Sequence, residues 1–408
     1  MHRPNFRRSA RPSRQHLAVA RSSLGTAMVH GLLSWGVLIS AVVGIVVART
    51  QLAQAGRAPL SLISAQLSAV DAQAWESIPT YRNTVPVLVY HGIGGRKNYL
   101  AVSRQLFAQQ MTALKLAGFH TLTMQQYVAF VRGDTAHLPS KPILLTFDDG
   151  RLDAYRAANA ILKADGFHAV ELVVPGWVTS NPNFSLNWSE INQMVQGGIW
   201  DVQEHFGYGS EGIPINVAGK IGGRFGDLEY IRESAGHGHL ETFAQFQQAF
   251  VQNMLWGEQQ MKLHVPGYQP LAMAIPRSDY GQTYTNDDQI PPYVIKWLDS
   301  HYPVVFGGDY LDTTAGRPFQ FEGRFGRVAP QISYRITMGP TEILPVLRCR
   351  LLDYIKDTPI WYEYSCLKIA KSKTSTQDDD DAYIEPTNPT PMLPATLLAI
   401  RRSREDAS

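Results

Sequence analysis

Asp148 and Asp149 stand side by side where the apolar run Ile143-Leu144-Leu145-Thr146-Phe147 gives way to Gly150. Two neighbouring carboxylates at a strand end point in different directions, so one can hold a cation while the other accepts a proton. An isolated Asp-Asp-Gly is more often a plain turn with a helix N-cap. The residues around it therefore have to decide. Pro142 and Gly150 bound the run as they would a buried strand, which puts both carboxylates where the strand stops and the chain turns. Parallel α/β folds place chemistry at such ends.

The elements that must position the pair are legible on both sides. Ser103 is predicted to cap a helix that buries Phe107, Met111 and Leu114 before Gly118, and Thr123 a second one carrying Tyr127, Val128 and Val131 before Gly133. After the aspartates, Tyr155, Ala158, Ile161 and Leu162 mark an apolar helix face closed by Gly166, and Val170 to Val174 supplies the next strand. Asn187 with Glu190 forms a capping-box pattern ahead of Ile191, Met194 and Val195. Trp200 to Gln203, Ala272 to Ile275 and Pro303 to Phe306 read as further buried strands, with Phe243, Phe246, Phe250 and Met254 at helical spacing between the first two. Repeated strand-helix units predict an α/β fold with a mostly parallel sheet, open or closed into a barrel.

The order of several short blocks carries a resemblance. Pro86-Val87-Leu88-Val89-Tyr90-His91 ends a first strand in Tyr-His, and Thr146-Phe147-Asp148-Asp149-Gly150 follows. Asn187-Trp188-Ser189-Glu190-Ile191, Trp200-Asp201-Val202-Gln203-Glu204-His205 and Ala274-Ile275-Pro276 come next. Together they resemble the polysaccharide deacetylase family, the NodB-like carbohydrate esterases, and within it the branch that acts on exopolysaccharide N-acetylglucosamine. The resemblance runs over about residues 84–345 and is most specific at Thr-Phe-Asp-Asp-Gly. It implies a distorted (β/α) barrel of the NodB type with its site at the strand C-termini. It also implies that Asp148 is the general base and that Asp149 and His205 are ligands of a divalent metal, with zinc the expected ion.

One family feature is missing. The family's second histidine stands four residues after the first, and here that position is Gly209. A catalytic zinc normally has three protein ligands and a water, whereas Asp149 and His205 make two. His237 and His239, in a Gly-rich insertion, are candidate replacement ligands, and Asp227 on the same insertion is a weaker one. Pro276 matches the family segment that walls the catalytic aspartate, while Arg277 stands where an aromatic residue is common, so its guanidinium is expected on Asp148 or on substrate oxygens, or else exposed. His91 is expected at the same mouth, binding substrate or fixing loop geometry. No histidine of the last strand-like segments, Val304 to Gly308 and Ile332 to Met338, offers a general acid.

Composition bounds the rest. A chain of 408 residues, 44% hydrophobic, is long enough for one large α/β domain with appendages, and a net charge of +2 argues against a nucleic-acid binder. Residues 1–26 hold Arg3, Arg7, Arg8, Arg11, Arg14 and Arg21 and no acid, and 27–48 then run without a formal charge. Those 22 residues can cross a bilayer of roughly 30 Å, longer than the h-region of a cleaved signal peptide. The expectation is a basic cytoplasmic segment (1–26), a single transmembrane signal anchor (27–48), a linker (49–83), an extracytoplasmic deacetylase-like domain (84–345), a C-terminal extension (346–371) and a mobile tail (372–408) carrying Asp378 to Asp381. Cys349 and Cys366 are too few for a disulfide framework, and whether they pair stays open.

Three functions follow as expectations. The first is a membrane-tethered, metal-dependent hydrolase that removes N-acetyl groups from an amino-sugar polysaccharide. The second is a degenerate relative that binds glycan, or serves as an accessory protein, without turnover. The third, a serine hydrolase suggested by His91-Gly92, lacks any Gly-x-Ser-x-Gly elbow.

Overall fold

The computed structural model describes residues 67–355, apart from 83, 95–99, 179–181, 209–211, 235, 283, 308–310, 313–316, 319–331, 334 and 341–342, and in addition Cys366. The expected anchor at 27–48 and the tail at 372–408 lie outside the described residues. Among the described residues no helix is long and apolar enough to cross a membrane.

The chain alternates strands and helices. A first helix α1 (Ala69–Glu76) precedes β1 (Val87–Tyr90), then come α2 (Arg104–Leu116), β2 (His120–Thr121), α3 (Met124–Val131), β3 (Pro142–Asp148), α4 (Leu152–Asp165) and β4 (Ala169–Val173). They continue as α5 (Trp188–Gln196), β5 (Trp200–Glu204), α6 (Phe243–His264), β6 (Ala272–Ala274), α7 (Ile290–His301), β7 (Val304–Phe306), β8 (Ile332–Ser333), β9 (Ile336–Thr337) and α8 (Leu344–Ile355). The sheet order is β8-β7-β6-β5-β4-β3-β1-β9, with β2 on the start of β3, and the pairings are parallel.

The two outermost strands of that order are consecutive in the chain. Ile332 pairs with Val305 on one side, and Ile336 pairs with Leu88 on the other. From Ser333 to Ile336 the backbone can span at most about 11 Å, so the sheet must curl until its ends nearly meet. Barrel curvature and the placing of Arg335 between the two ends are one and the same event.

Strand alternation sorts the core into two layers. Val87, Leu144, Val170, Leu172, Ala272, Ala274, Val304 and Phe306 pack together on the inner face, while Leu88, Tyr90, Leu145, Phe147, Ala169 and Val173 pack against the helices. Leu144 and Thr146 face inward, so Asp148 does too, at the C-terminal mouth. The expected caps form: Ser103, Thr123 and Asn187 each accept a backbone N–H of the following turn, the last two within full capping boxes. Gly166 ends α4 in the left-handed conformation, at φ 73°.

Two domain boundaries differ from expectation. The linker was expected to run to residue 83, but α1 and the chain after it belong to the fold, with Trp75, Ile78 and Tyr81 buried in the helix-side core. Periodicity missed this because only isolated aromatic and aliphatic anchors, not a stripe, hold the segment. The domain was also expected to stop at 345, yet α8 starts at Leu344 and buries Val346, Leu347 and Leu351. Arg348 of α8 donates to the Ala74 carbonyl and to Ser77 Oγ, tying the two ends of the domain together. Cys349 and Cys366 form a disulfide.

Candidate active site

Asp148 ends β3 and is 2% exposed. A buried carboxylate needs a partner, and it has one in Arg335: Nη1 donates to Oδ1 at 2.7 Å and Nη2 to Oδ2 at 2.8 Å. The guanidinium is fastened in turn, with Nε on the Gly307 carbonyl at 2.9 Å, Nη1 also 3.3 Å from Thr146 Oγ1, and its plane near the Phe306 ring. Burial pushes the Asp148 pKa up, but Arg335, His205 and His91 outweigh it and bring the pKa down to about 2. Asp148 is therefore a fixed, ionised carboxylate.

Oδ2 faces the rest of the site. His205 Nε2 lies 3.7 Å and His91 Nε2 3.9 Å from it. His205 Nδ1 is 2.8 Å from the Ala274 carbonyl oxygen, which can only accept, so Nδ1 carries the proton and the Nε2 lone pair points into the site. His91 is mostly enclosed, and its Nδ1 finds no hydrogen-bond partner among the described residues. Burial lowers the His91 pKa against the opposing pull of Asp149 and Asp148, so the ring is neutral at pH 7.

Asp149 sits one step past the strand with φ 79°, followed by Gly150 at φ 65°. This left-handed pair swings the Asp149 carboxylate to within 3.9 Å of His205 Nε2. Ligand atoms about 2.1 Å from a tetrahedral metal lie about 3.4 Å apart. The Asp149 and His205 donors thus fit a divalent cation after a shift of about half an ångström. Among the described residues no group of three His, Cys, Asp or Glu ligands gathers here; the one such cluster is Cys349, Asp353 and Cys366, whose sulfurs are in the disulfide. The donor set fits two protein bonds to a metal.

The loop after His205 is held tightly. Asn253 Oδ1 accepts the N–H groups of Gly207 and Tyr208, and Asn253 Nδ2 donates to the Tyr208 carbonyl. Gly207 is required because a Cβ there would run into the Asn253 carbonyl oxygen. Gly209 lies outside the described residues.

The insertion does not deliver a replacement ligand. His237 and His239 belong to a surface hairpin of Tyr230–Ser234 with His237–Leu240, both are exposed, and His239 Nδ1 is 3.0 Å from Glu233 Oε1 on the paired strand. Asp227 is occupied structurally, accepting the N–H groups of Gly223 and Asn286. A polar, Gly-rich insertion folded on itself satisfies its own hydrogen bonds, and nothing draws its histidines inward.

Arg277 also departs from one expectation. It is exposed, at φ 54°, beside buried Pro276, and the Asp148 partner is Arg335 instead. Sequence reading passed over Arg335 although one signal was present, a lone arginine inside an apolar strand-like segment, where a charge persists only if something opposes it.

Residues 135–289 match the polysaccharide deacetylase family. That stretch resembles a polysaccharide deacetylase domain. Bacillus subtilis YxkH, named for the same family, is 31% identical over 137 residues, which is 33% of this chain and 46% of that one. The poly-beta-1,6-N-acetyl-D-glucosamine N-deacetylase of Escherichia coli is 22% identical over 165 residues, covering 37% of this chain and 24% of that protein. The matched region thus spans less than half the length of either relative. A solved de-N-acetylase structure from Aggregatibacter actinomycetemcomitans superposes with a TM-score of 0.50 at 20% identity, over 62% of this chain and 95% of that one. It shares the fold described above, a curled parallel sheet ringed by helices.

Proposed function

We propose that the domain hydrolyses N-acetyl groups from an amino-sugar polysaccharide. The observation that carries this reading is Asp148, a buried carboxylate kept ionised by Arg335 and aimed with one oxygen at His205 and His91. Asp148 Oδ2 takes the proton of the attacking water as its oxygen joins the acetamide carbon. Arg335 holds both carboxylate oxygens, so the base does not rotate away. When the C–N bond breaks, the same carboxyl is placed to return the proton to the leaving nitrogen, giving acetate and a free amine. His91 Nε2 faces the same space and serves to hydrogen-bond the substrate. Asp149 Oδ1 and His205 Nε2 would hold a divalent metal, zinc being the ion that the donor pair suits. A bound cation would supply Lewis acidity toward the acetamide carbonyl.

The N-acetylated glycan as partner is supported by the names of the matched relatives. Placement outside the cytoplasm, on a single-pass anchor at 27–48, is supported by the arginine asymmetry around that segment. Protease added to spheroplasts should digest the domain, and full protection beside digested periplasmic controls would refute the placement. The absence of a third ligand among the described residues favours one rival, a relative that binds glycan without turnover. Metal content of the purified protein, measured beside acetate release from N-acetylglucosamine oligomers, separates them. Metal with turnover supports hydrolysis; neither supports the binding protein.

A further inference from the structure

Glu171 is a carboxylic acid in the middle of β4, fully buried. Its neighbours Val170 and Leu172 belong to the inner layer, so Glu171 faces the helix side, level with Phe147 across the ladder. An acid in that apolar layer is costly, and the sheet itself has no use for it. Its one hydrogen bond among the described residues explains its presence: Oε1 accepts the N–H of Gly150 at 3.0 Å, while Oε2 has no partner.

That N–H belongs to the turn that aims the active-site carboxylates. Asp149 and Gly150 are consecutive left-handed residues, a conformation uncommon for any residue that bears a side chain, although Asp tolerates it better than most. Two hydrogen bonds fasten the far side, Leu186 N–H to the Gly150 carbonyl and Leu152 N–H to that of Phe184, and together they make the antiparallel bridge between Arg151 and Ser185. On the sheet side the fastening is Glu171. A Cβ on Gly150 would press on Val173 of the same strand β4, so the turn rests directly on the strand that carries the acid. Burial, and after it the nearby carboxylates of Asp148, Asp149 and Asp153, push the Glu171 pKa well above the usual carboxylate range.

We propose that Glu171 is a positioning residue of the active site, anchoring the Gly150 amide and so holding Asp149 in the left-handed turn that turns its carboxylate toward His205. The role in turnover rests on the deacetylase reading above. The anchor itself does not.

Glu171→Gln keeps an oxygen acceptor of the same reach, whereas Glu171→Met keeps the volume and removes the acceptor. Acetate release from N-acetylglucosamine oligomers, thermal melting, and hydrogen–deuterium exchange of peptides covering residues 147–152 are compared with the unaltered protein. Expected for the Gln variant is turnover within about 3-fold and unaltered exchange. Expected for the Met variant is kcat lower by about 10-fold or more with little change in KM, since small displacements of reacting groups cost that much, together with faster exchange at Gly150. A purely structural residue would instead lower the melting temperature of the Met variant and leave kcat of the folded fraction intact, which overturns the proposal. Equal loss of kcat in both variants also overturns it. If the Met variant does not fold, Glu171→Asp, which withdraws the acid by one methylene, must show the same kcat loss and faster exchange; unaltered values there refute the anchor. If the unaltered protein releases no acetate, the deacetylase reading fails. The exchange comparison then decides the anchor alone, with identical protection of Gly150 in all variants refuting it.

Discussion

Arg335→Met takes the guanidinium away from Asp148 while keeping an unbranched side chain. The Asp148 pKa falls from its ordinary 3.8 to about 2, and that fall survives after burial has pushed the other way. At about 1.4 kcal/mol per pH unit it corresponds to about 2–3 kcal/mol favouring the ionised form in the folded state. Removing one partner of a buried pair typically costs more, about 3–5 kcal/mol, because the remaining charge stays buried and uncompensated. The variant is therefore expected to lose about 3–5 kcal/mol of stability at pH 7.

The pH dependence carries a definite sign. A depressed folded-state pKa contributes stability that is fully present above the unfolded value near 4 and is lost as pH falls through about 2. Without Arg335, burial is opposed only by the histidines, so the Asp148 pKa rises and the carboxyl protonates at a higher pH. The stability gap between the two proteins should thus be widest near pH 7 and narrow toward pH 3. Denaturant unfolding at pH 7, 5 and 3 measures it directly. In acetate release, the acid limb of the variant should move up toward neutral pH. Equal stability at pH 7, or a gap of constant size down to pH 3, would refute the assignment of Arg335 as the group that keeps Asp148 ionised.

Asp148→Asn leaves the buried Arg335 charge uncompensated, so it should lower stability as well, and acetate release per folded protein, with folding checked by circular dichroism, should fall by about 10²-fold or more; unchanged release would assign the base elsewhere. Asp149→Ala and His205→Ala should each abolish stoichiometric zinc binding by calorimetry, since a site with two protein donors has little affinity to spare; His239→Ala should leave it unchanged because that ring pairs with Glu233 on the surface hairpin. Gly207→Ala should cost about 1–3 kcal/mol of stability, seen as a lower denaturation midpoint, because its Cβ meets backbone of α6 and not a movable side chain. Cys366→Ser should cost about 3 kcal/mol, the scale for opening a loop with a separation of 17 residues, and reductant should reproduce the loss in the unaltered protein.

What was legible in the sequence was local or periodic. The run ending in Asp148 reads as a strand because its apolar residues sit between Pro142 and Gly150, and the structure extends it only to Pro142–Asp148. Ser103, Thr123 and Asn187 announce helix starts because the capping chemistry lies within three or four residues of itself. The order of the Tyr-His, Asp-Asp-Gly and Glu-His blocks carried the family resemblance, and with it the convergence of His91, Asp148, Asp149 and His205.

Long-range partnerships were not legible, because no residue carries a local sign of what will face it across the barrel. Arg335 meets Asp148 over a separation of 187 residues, and it does so because β8 and β9 sit at the two ends of one curling sheet. The sequence could pose Cys349 and Cys366 only as a possible pair; that they bridge is a matter of proximity in space, which their spacing does not encode. For His237 and His239 the reverse holds: composition allowed a metal role, and a self-satisfied hairpin took it away. Glu171 marks the same limit, since a glutamate in an apolar strand is an anomaly in one dimension and becomes an anchor only when the fold stacks the Asp149-Gly150 turn on top of it. Residue types and short spacings specified which groups could do chemistry, and tertiary closure decided which of them are held together, because electrostatic and hydrogen-bond partners are chosen by distance in space.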